Sequence, residues 1–140
     1  MNSNPAAASG SLARILVVDD NPDVAHVMGL LLEMCGYAVE VVIDAKECLS
    51  RLESFHPDIV LLDPEISQVH GHDLAKQIRA QLESGRVSII AISGYADAAH
   101  QARSIESGCD QYLVKPADLV ALEGAIAREL QKSHSAACDS

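Results

Sequence analysis

The chain has 140 residues and a formal net charge of −10, with 49% hydrophobic and 21% charged residues. That is the size and composition of one folded domain, able to bury roughly 68–70% of its unfolded surface, and it argues against disorder. The acidic balance speaks against direct binding to nucleic acid or an anionic membrane, whose phosphates would be repelled, and no apolar run is long enough to span a bilayer.

Residues 1–12, rich in Asn, Ser, Ala, Pro and Gly, read as a flexible N-terminal tail with neither the basic start nor the apolar stretch of a signal peptide. Ile15-Leu16-Val17-Val18 is a short apolar run that ends in Asp19-Asp20. Asn21-Pro22 then offers a helix N-cap followed by proline at the first helical position. Val24, Val27, Met28, Leu31 and Met34 recur at helical spacing, and Gly36 fits a helix stop. A second strand covers Ala38 to Ile43. Asp44 with Glu47 resembles a capping box for a helix to about Ser54. Ile59-Val60-Leu61-Leu62 forms a third strand, ending in Asp63. Leu74, Ile78 and Leu82 mark a third helix, stopped by Gly85. The fourth strand, Val87 to Ile92, ends at Ser93. A fourth helix spans about Asp97 to Glu106. The fifth strand, Gln111 to Val114, ends at Lys115. Asp118 opens a last helix with apolar positions Leu119, Leu122, Ile126 and Leu130. The spacing thus predicts one α/β domain over 13–132 and a flexible C-terminal tail over 133–140.

Strand and helix alternate five times, the pattern of a parallel sheet covered by helices on both faces. Asp19, Asp20, Asp63, Ser93 and Lys115 then gather at the carboxyl edge of that sheet, where open α/β sheets bind their ligands. Three carboxylates so close repel one another unless a proton or a cation intervenes. Oxygen-only donors favour magnesium, calcium or manganese over zinc. With a hydroxyl and an ammonium added, the set suits a divalent cation and a phosphoryl group. Asp and Asn at strand-to-helix junctions are often plain helix caps, which explains Asn21 but not the full set. The four cysteines, Cys35, Cys48, Cys109 and Cys138, show neither CxxC nor zinc spacing and read as reduced thiols of a cytoplasmic protein. His70 and His72 read as solvated loop histidines rather than a soft-metal pair.

The segments Ile15 to Asn21, Pro57 to Asp63, Ile92-Ser93-Gly94-Tyr95 and Tyr112-Leu113-Val114-Lys115-Pro116 together resemble the receiver domain of bacterial two-component response regulators, of the CheY-like superfamily. The likeness covers about Arg14 to Leu130. It implies a three-layer (βα)5 flavodoxin-like fold with five parallel strands in the order 2-1-3-4-5. It further implies that Asp63 is the phosphoacceptor, with Mg2+ held by Asp19, Asp20, Asp63 and the backbone carbonyl of Glu65. Lys115 would pair with phosphoryl oxygen. Ser93 and Tyr112 would be the switch residues, and Lys115-Pro116 would be a cis peptide. The implied partners are a sensor histidine kinase or histidine phosphotransfer protein and a downstream protein bound at the face of helix 4, strand 5 and helix 5.

The chain departs from the family pattern at Pro64, Ser67 and His70. Pro64 lacks an amide hydrogen and holds Asp63 toward extended geometry. Glu65 and Tyr95, two residues past Asp63 and Ser93, are expected to flank the path of an attacking water and to tune phosphoryl lifetime. An aspartate-nucleophile phosphatase of the haloacid dehalogenase type would carry a second aspartate where Glu65 stands, so an enzyme is not expected. A flavodoxin-like cofactor binder would carry a Gly/Ser/Thr-rich loop after the first strand, and none is there. The remaining alternatives to a single-domain response regulator are a receiver-fold interaction module that works without phosphate and a receiver domain excised from a longer hybrid protein.

Overall fold

A computed structural model of the chain describes residues 12–66, 71–82 and 87–139, with the backbone alone for 71–73 and 133–139. The strands are β1 (Arg14–Val18), β2 (Ala38–Val42), β3 (Ile59–Leu62), β4 (Ser88–Ser93) and β5 (Gln111–Val114). The helices are α1 (Pro22–Met34), α2 (Ala45–Phe55), α3 (Gly71–Gln81), α4 (Ala98–Glu106) and α5 (Leu119–Asp139). All strand pairs are parallel, in the order β2-β1-β3-β4-β5. This is the predicted (βα)5 fold and strand order.

Alternation along the strands sorts the core into two layers. Leu16, Val18, Val60, Leu62, Ile89 and Ala91 face one way and pack with Cys48 and Leu52 of α2 and Leu74 and Ile78 of α3. Ile15, Val17, Ile59, Leu61, Ile90 and Ile92 face the other way, onto Ala25 and Leu32 of α1 and Leu122 and Ile126 of α5. The central strands are buried on both faces, which is why they read as unbroken apolar runs.

The caps follow the sequence. The Asn21 side chain accepts from the amides of Asp23 and Val24, Asp44 from that of Glu47, Asp97 from that of His100 and Asp118 from that of Ala121. At the helix ends, Gly36 (φ 100°) and Gly108 (φ 117°) adopt the left-handed conformation that glycine takes at no cost, and His56 does so at φ 54°.

Two features of the helices were not read from the sequence. Only part of the apolar stripe of α1 meets the core: Ala25, Gly29 and Leu32 are buried and Met28 packs beside them, while Val27 and Met34 are 55% and 83% exposed. Small residues set this orientation. A Cβ on Gly29 would stand 2.8 Å from a methyl of Val41, so the helix sits against the sheet at the one place without a side chain. In addition, α5 continues to Asp139, past the expected end at residue 132, so 133–139 are helical in backbone rather than a tail. No proline or glycine lies between Ala125 and Asp139 to break the helix, and Ala136 and Ala137 favour it. The expected N-terminal tail lies outside the described residues, Leu12 excepted, as do Ser67, His70 and Gly85.

Candidate functional site

The sheet order places β1 and β3 side by side, with the chain leaving their carboxyl ends toward opposite faces, and a crevice opens between. Backbone hydrogen bonds tie the strand ends together. The Asp19 amide donates to the Val42 carbonyl at 3.2 Å, Asp63 to Val18 at 2.9 Å and Lys115 to Ser93 at 2.7 Å. Four of the five predicted strand-end residues therefore stand on a fixed frame, and Asp20 follows directly after Asp19.

Asp19, Asp20 and Asp63 offer carboxylate oxygens that all lie within 4.8 Å of one another, with Asp19 and Asp63 buried and Asp20 nearer the surface. The Lys115 ammonium sits between two of them, 3.0 Å from Asp19 Oδ2 and 3.0 Å from Asp63 Oδ2. Burial by itself disfavours that ammonium, yet the two carboxylate hydrogen bonds outweigh it, and the Lys115 pKa lies above the ordinary lysine value. The other oxygens are also held. Asp19 Oδ1 accepts from the Asn21 amide and Asp63 Oδ1 from the Glu65 amide, both at 2.9 Å. These side chains are thereby oriented as well as charged.

Pro64 fits this geometry. The Ile66 amide donates to the Asp63 carbonyl at 3.2 Å, closing a turn in which Pro64 is the second residue. Proline is favoured there because its φ is preset and its missing N–H is not needed.

Ser93, the last residue of β4 rather than the one beyond it, is fully buried. Its hydroxyl lies 3.0 and 2.8 Å from the Glu65 carboxylate oxygens and accepts from the Tyr95 amide at 3.0 Å. The Tyr112 hydroxyl donates to the Tyr95 carbonyl at 2.6 Å. The Lys115–Pro116 peptide is cis. Sequence reasoning placed Glu65 in the metal set through its carbonyl and beside the water path through its side chain. It did not foresee the carboxylate on Ser93, because the β3 and β4 loops meet only after folding. It also assigned His100 no role, whereas the His100 ring stacks on Tyr95 (centroids 4.1 Å apart, 5° between planes) and bonds Asp97 at 2.8 Å. The spacing Asp97 to His100, one helical turn, was the available signal.

Burial pushes the Cys48 and Cys109 thiols up to about 12, which makes them inert core groups. Cys35, Cys48 and Cys109 form no disulfide among the described residues. No described helix is long and apolar enough to cross a membrane.

Comparison with known proteins agrees with this geometry. The family model described as response regulator receiver domain matches residues 15–127. The probable transcriptional regulator ycf27 of Guillardia theta is 31% identical over 127 residues, covering 91% of this chain and 49% of that protein. The DNA-binding response regulator MtrA of Mycolicibacterium smegmatis is 35% identical over 103 residues, covering 74% of this chain and 44% of that protein. The chain thus spans about half the length of these curated relatives. Among solved structures, a CheY-like receiver domain protein from Methanospirillum hungatei is similar at 30% identity and TM-score 0.82, over 89% of this chain and 98% of that one. A Burkholderia pseudomallei response regulator, crystallised with a phosphorylated aspartic acid, a calcium ion and citrate, is similar at 27% identity and TM-score 0.75, over 86% of this chain and 72% of that one. The chain belongs to the response regulator receiver domain family.

Proposed function

We propose that the chain takes up a phosphoryl group on Asp63 from a phosphohistidine of a sensor kinase or histidine phosphotransfer protein, with Mg2+, and passes the change on by protein-protein contact. The observation that carries this reading is the meeting of three carboxylates at one sheet edge with Lys115 bridging two of them. The donor set fits the metal. Oxygen-only ligands of which two are buried suit a hard divalent cation, and Asp19, Asp20, Asp63 and the Glu65 carbonyl would hold it. Bound there, it supplies positive charge against the donor's phosphoryl oxygens.

The residues divide the remaining work. An Asp63 oxygen attacks phosphorus, an O–P bond forms, and the N–P bond breaks with its electron pair returning to the donor imidazole. Lys115 acts as a point charge on the transferred group, and it lies 3.0 Å from the acceptor carboxylate. Phosphoryl transfer needs this alignment and neutralisation more than covalent help from the protein. Ser93 and Tyr112 serve as switch residues, because their hydroxyls meet through Tyr95 at the root of α4. The output face is α4–β5–α5, where Tyr95, Ile105, Val114 and Val120 are exposed. The net charge of −10 favours a protein over nucleic acid as the partner at that face, and the unpaired thiols suit a cytoplasmic setting. The phosphorylated aspartate and calcium ion of the Burkholderia relative support the same chemistry.

The test uses phosphoramidate, a small donor with the same P–N bond, together with Mg2+. Wild-type protein gains one phosphoryl group by intact mass, and Asp63→Asn gains none. Equal labelling of the two would overturn the reading.

A further inference from the structure

The Ser93 hydroxyl is already engaged. It has one hydrogen to give, and among the described residues the two carboxylate oxygens of Glu65 lie within 3.0 Å to accept it. The Gly94 amide also points at Glu65 Oε1, at 3.4 Å. One carboxylate from the β3 loop thus closes over the end of β4. The same hydroxyl receives the Tyr95 amide, and Tyr112 holds the Tyr95 carbonyl. The contact therefore belongs to a chain of bonds that runs from the phosphoacceptor loop to α4 and β5.

Resting on the function proposed above, we infer that the Glu65 carboxylate is a latch: it occupies the Ser93 hydroxyl in the phosphate-free protein and must yield it when a phosphoryl group arrives on Asp63. Two physical facts give the latch its direction. Ser93 cannot donate one hydrogen fully to two acceptors, so Glu65 and the phosphoryl oxygens compete for it. A phosphoryl group also carries roughly −1.5 to −2 charges in place of the single charge of the free Asp63 carboxylate, and the added negative charge, two residues from Glu65, drives the Glu65 carboxylate away. Lys115, by contrast, stands on Asp63 from the start and needs no such exchange. Glu65 is thus a positioning residue that acts through Ser93. It sets the threshold for switching by opposing the engaged state of the hydroxyl.

The experiment measures binding of beryllium trifluoride with Mg2+, a noncovalent phosphoryl mimic, by calorimetry on wild type, Glu65→Ala, Glu65→Gln, Ser93→Ala and the Glu65→Ala/Ser93→Ala double variant. Losing a charge-assisted hydrogen bond from the competing state is expected to tighten binding of the Glu65→Ala protein about tenfold. Glu65→Gln keeps the shape without the charge and should gain less. In the Ser93→Ala background most of the gain should vanish, since no hydroxyl remains to be released. Amide spectra of the unliganded proteins supply a second readout: the Gly94 and Tyr95 resonances should move in Glu65→Ala. An equal gain in both backgrounds assigns the effect to simple repulsion and overturns the latch, and so does no gain at all. Absence of binding in wild type and every variant would instead overturn the proposed function, and the latch with it.

Discussion

Replacing Lys115 by methionine keeps most of the side chain's length and removes its charge. Each of its two ion pairs, at 3.0 Å, is worth about 5–6 kcal/mol of gross attraction at an effective dielectric of 20. Most of that is offset by desolvation, because the Asp19 and Asp63 side chains are only 5% and 9% exposed and that of Lys115 is 28% exposed. What the substitution leaves behind matters more. Carboxylate oxygens within 4.8 Å of one another then repel by about 3.5 kcal/mol or more with nothing between them. The net expectation in the presence of a chelator is a loss of about 2–3 kcal/mol, read from urea unfolding, or a Tm lower by about 10 °C. Two further results follow from the same cause. Asp63→Asn in the Lys115→Met background should restore about half of the loss by removing one of the crowded charges. Added Mg2+ should stabilise the variant more than wild type, since a ligand of the folded state raises stability by mass action and the bare cluster holds it more tightly. A Lys115→Met protein as stable as wild type in chelator, and indifferent to Asp63→Asn, would refute the electrostatic account of the site.

Other outcomes follow from groups outside the site. Glu129, 2% exposed, accepts from Gln111 at 2.6 Å and Lys132 at 3.1 Å. Burial alone would raise its pKa, but these hydrogen bonds prevail and hold it below the ordinary glutamate value. A depressed carboxylate contributes stability above its unfolded pKa and loses it as pH falls through the folded value. The stability advantage of wild type over Glu129→Gln should therefore be constant near neutral pH and shrink below about pH 4.5, as followed by urea midpoints; a gap unchanged down to about pH 3 contradicts this. The buried Ser104 hydroxyl of α4 has no hydrogen-bond partner among the described residues. Ser104→Ala removes that cost and improves helix propensity, so the stability should rise by about 1 kcal/mol, and a loss of stability would show that the hydroxyl is satisfied after all.

The sheet was legible because its inner strands are buried on both faces, and that demand writes continuous Ile, Val and Leu into β1, β3 and β4. The strand-end residues came with it, since once the strands are parallel their last positions share an edge. Asn21, Asp44, Asp97 and Asp118 announced helix starts through local hydrogen bonding, which needs only a few neighbouring residues. Contacts between loops were not legible. Glu65 and Ser93 are 28 residues apart and carry no mutual periodicity. The orientation of α1 was not legible, because Val24, Val27 and Leu31 outweigh Ala25 and Gly29 in hydrophobicity, while the close approach of helix to sheet is decided by size. The helical stretch beyond residue 132 was likewise hidden, as its Ser and His residues resemble a tail until propensity is summed over the segment.

The measurement closest to the central claim is intact mass after incubation with acetyl phosphate, with Mg2+ or with a chelator, followed by peptide mapping of the modified residue. The account predicts a single phosphoryl group on Asp63, formed with the metal present, lost in chelator and absent from Asp63→Asn. Modification elsewhere, or labelling indifferent to the metal, would contradict it.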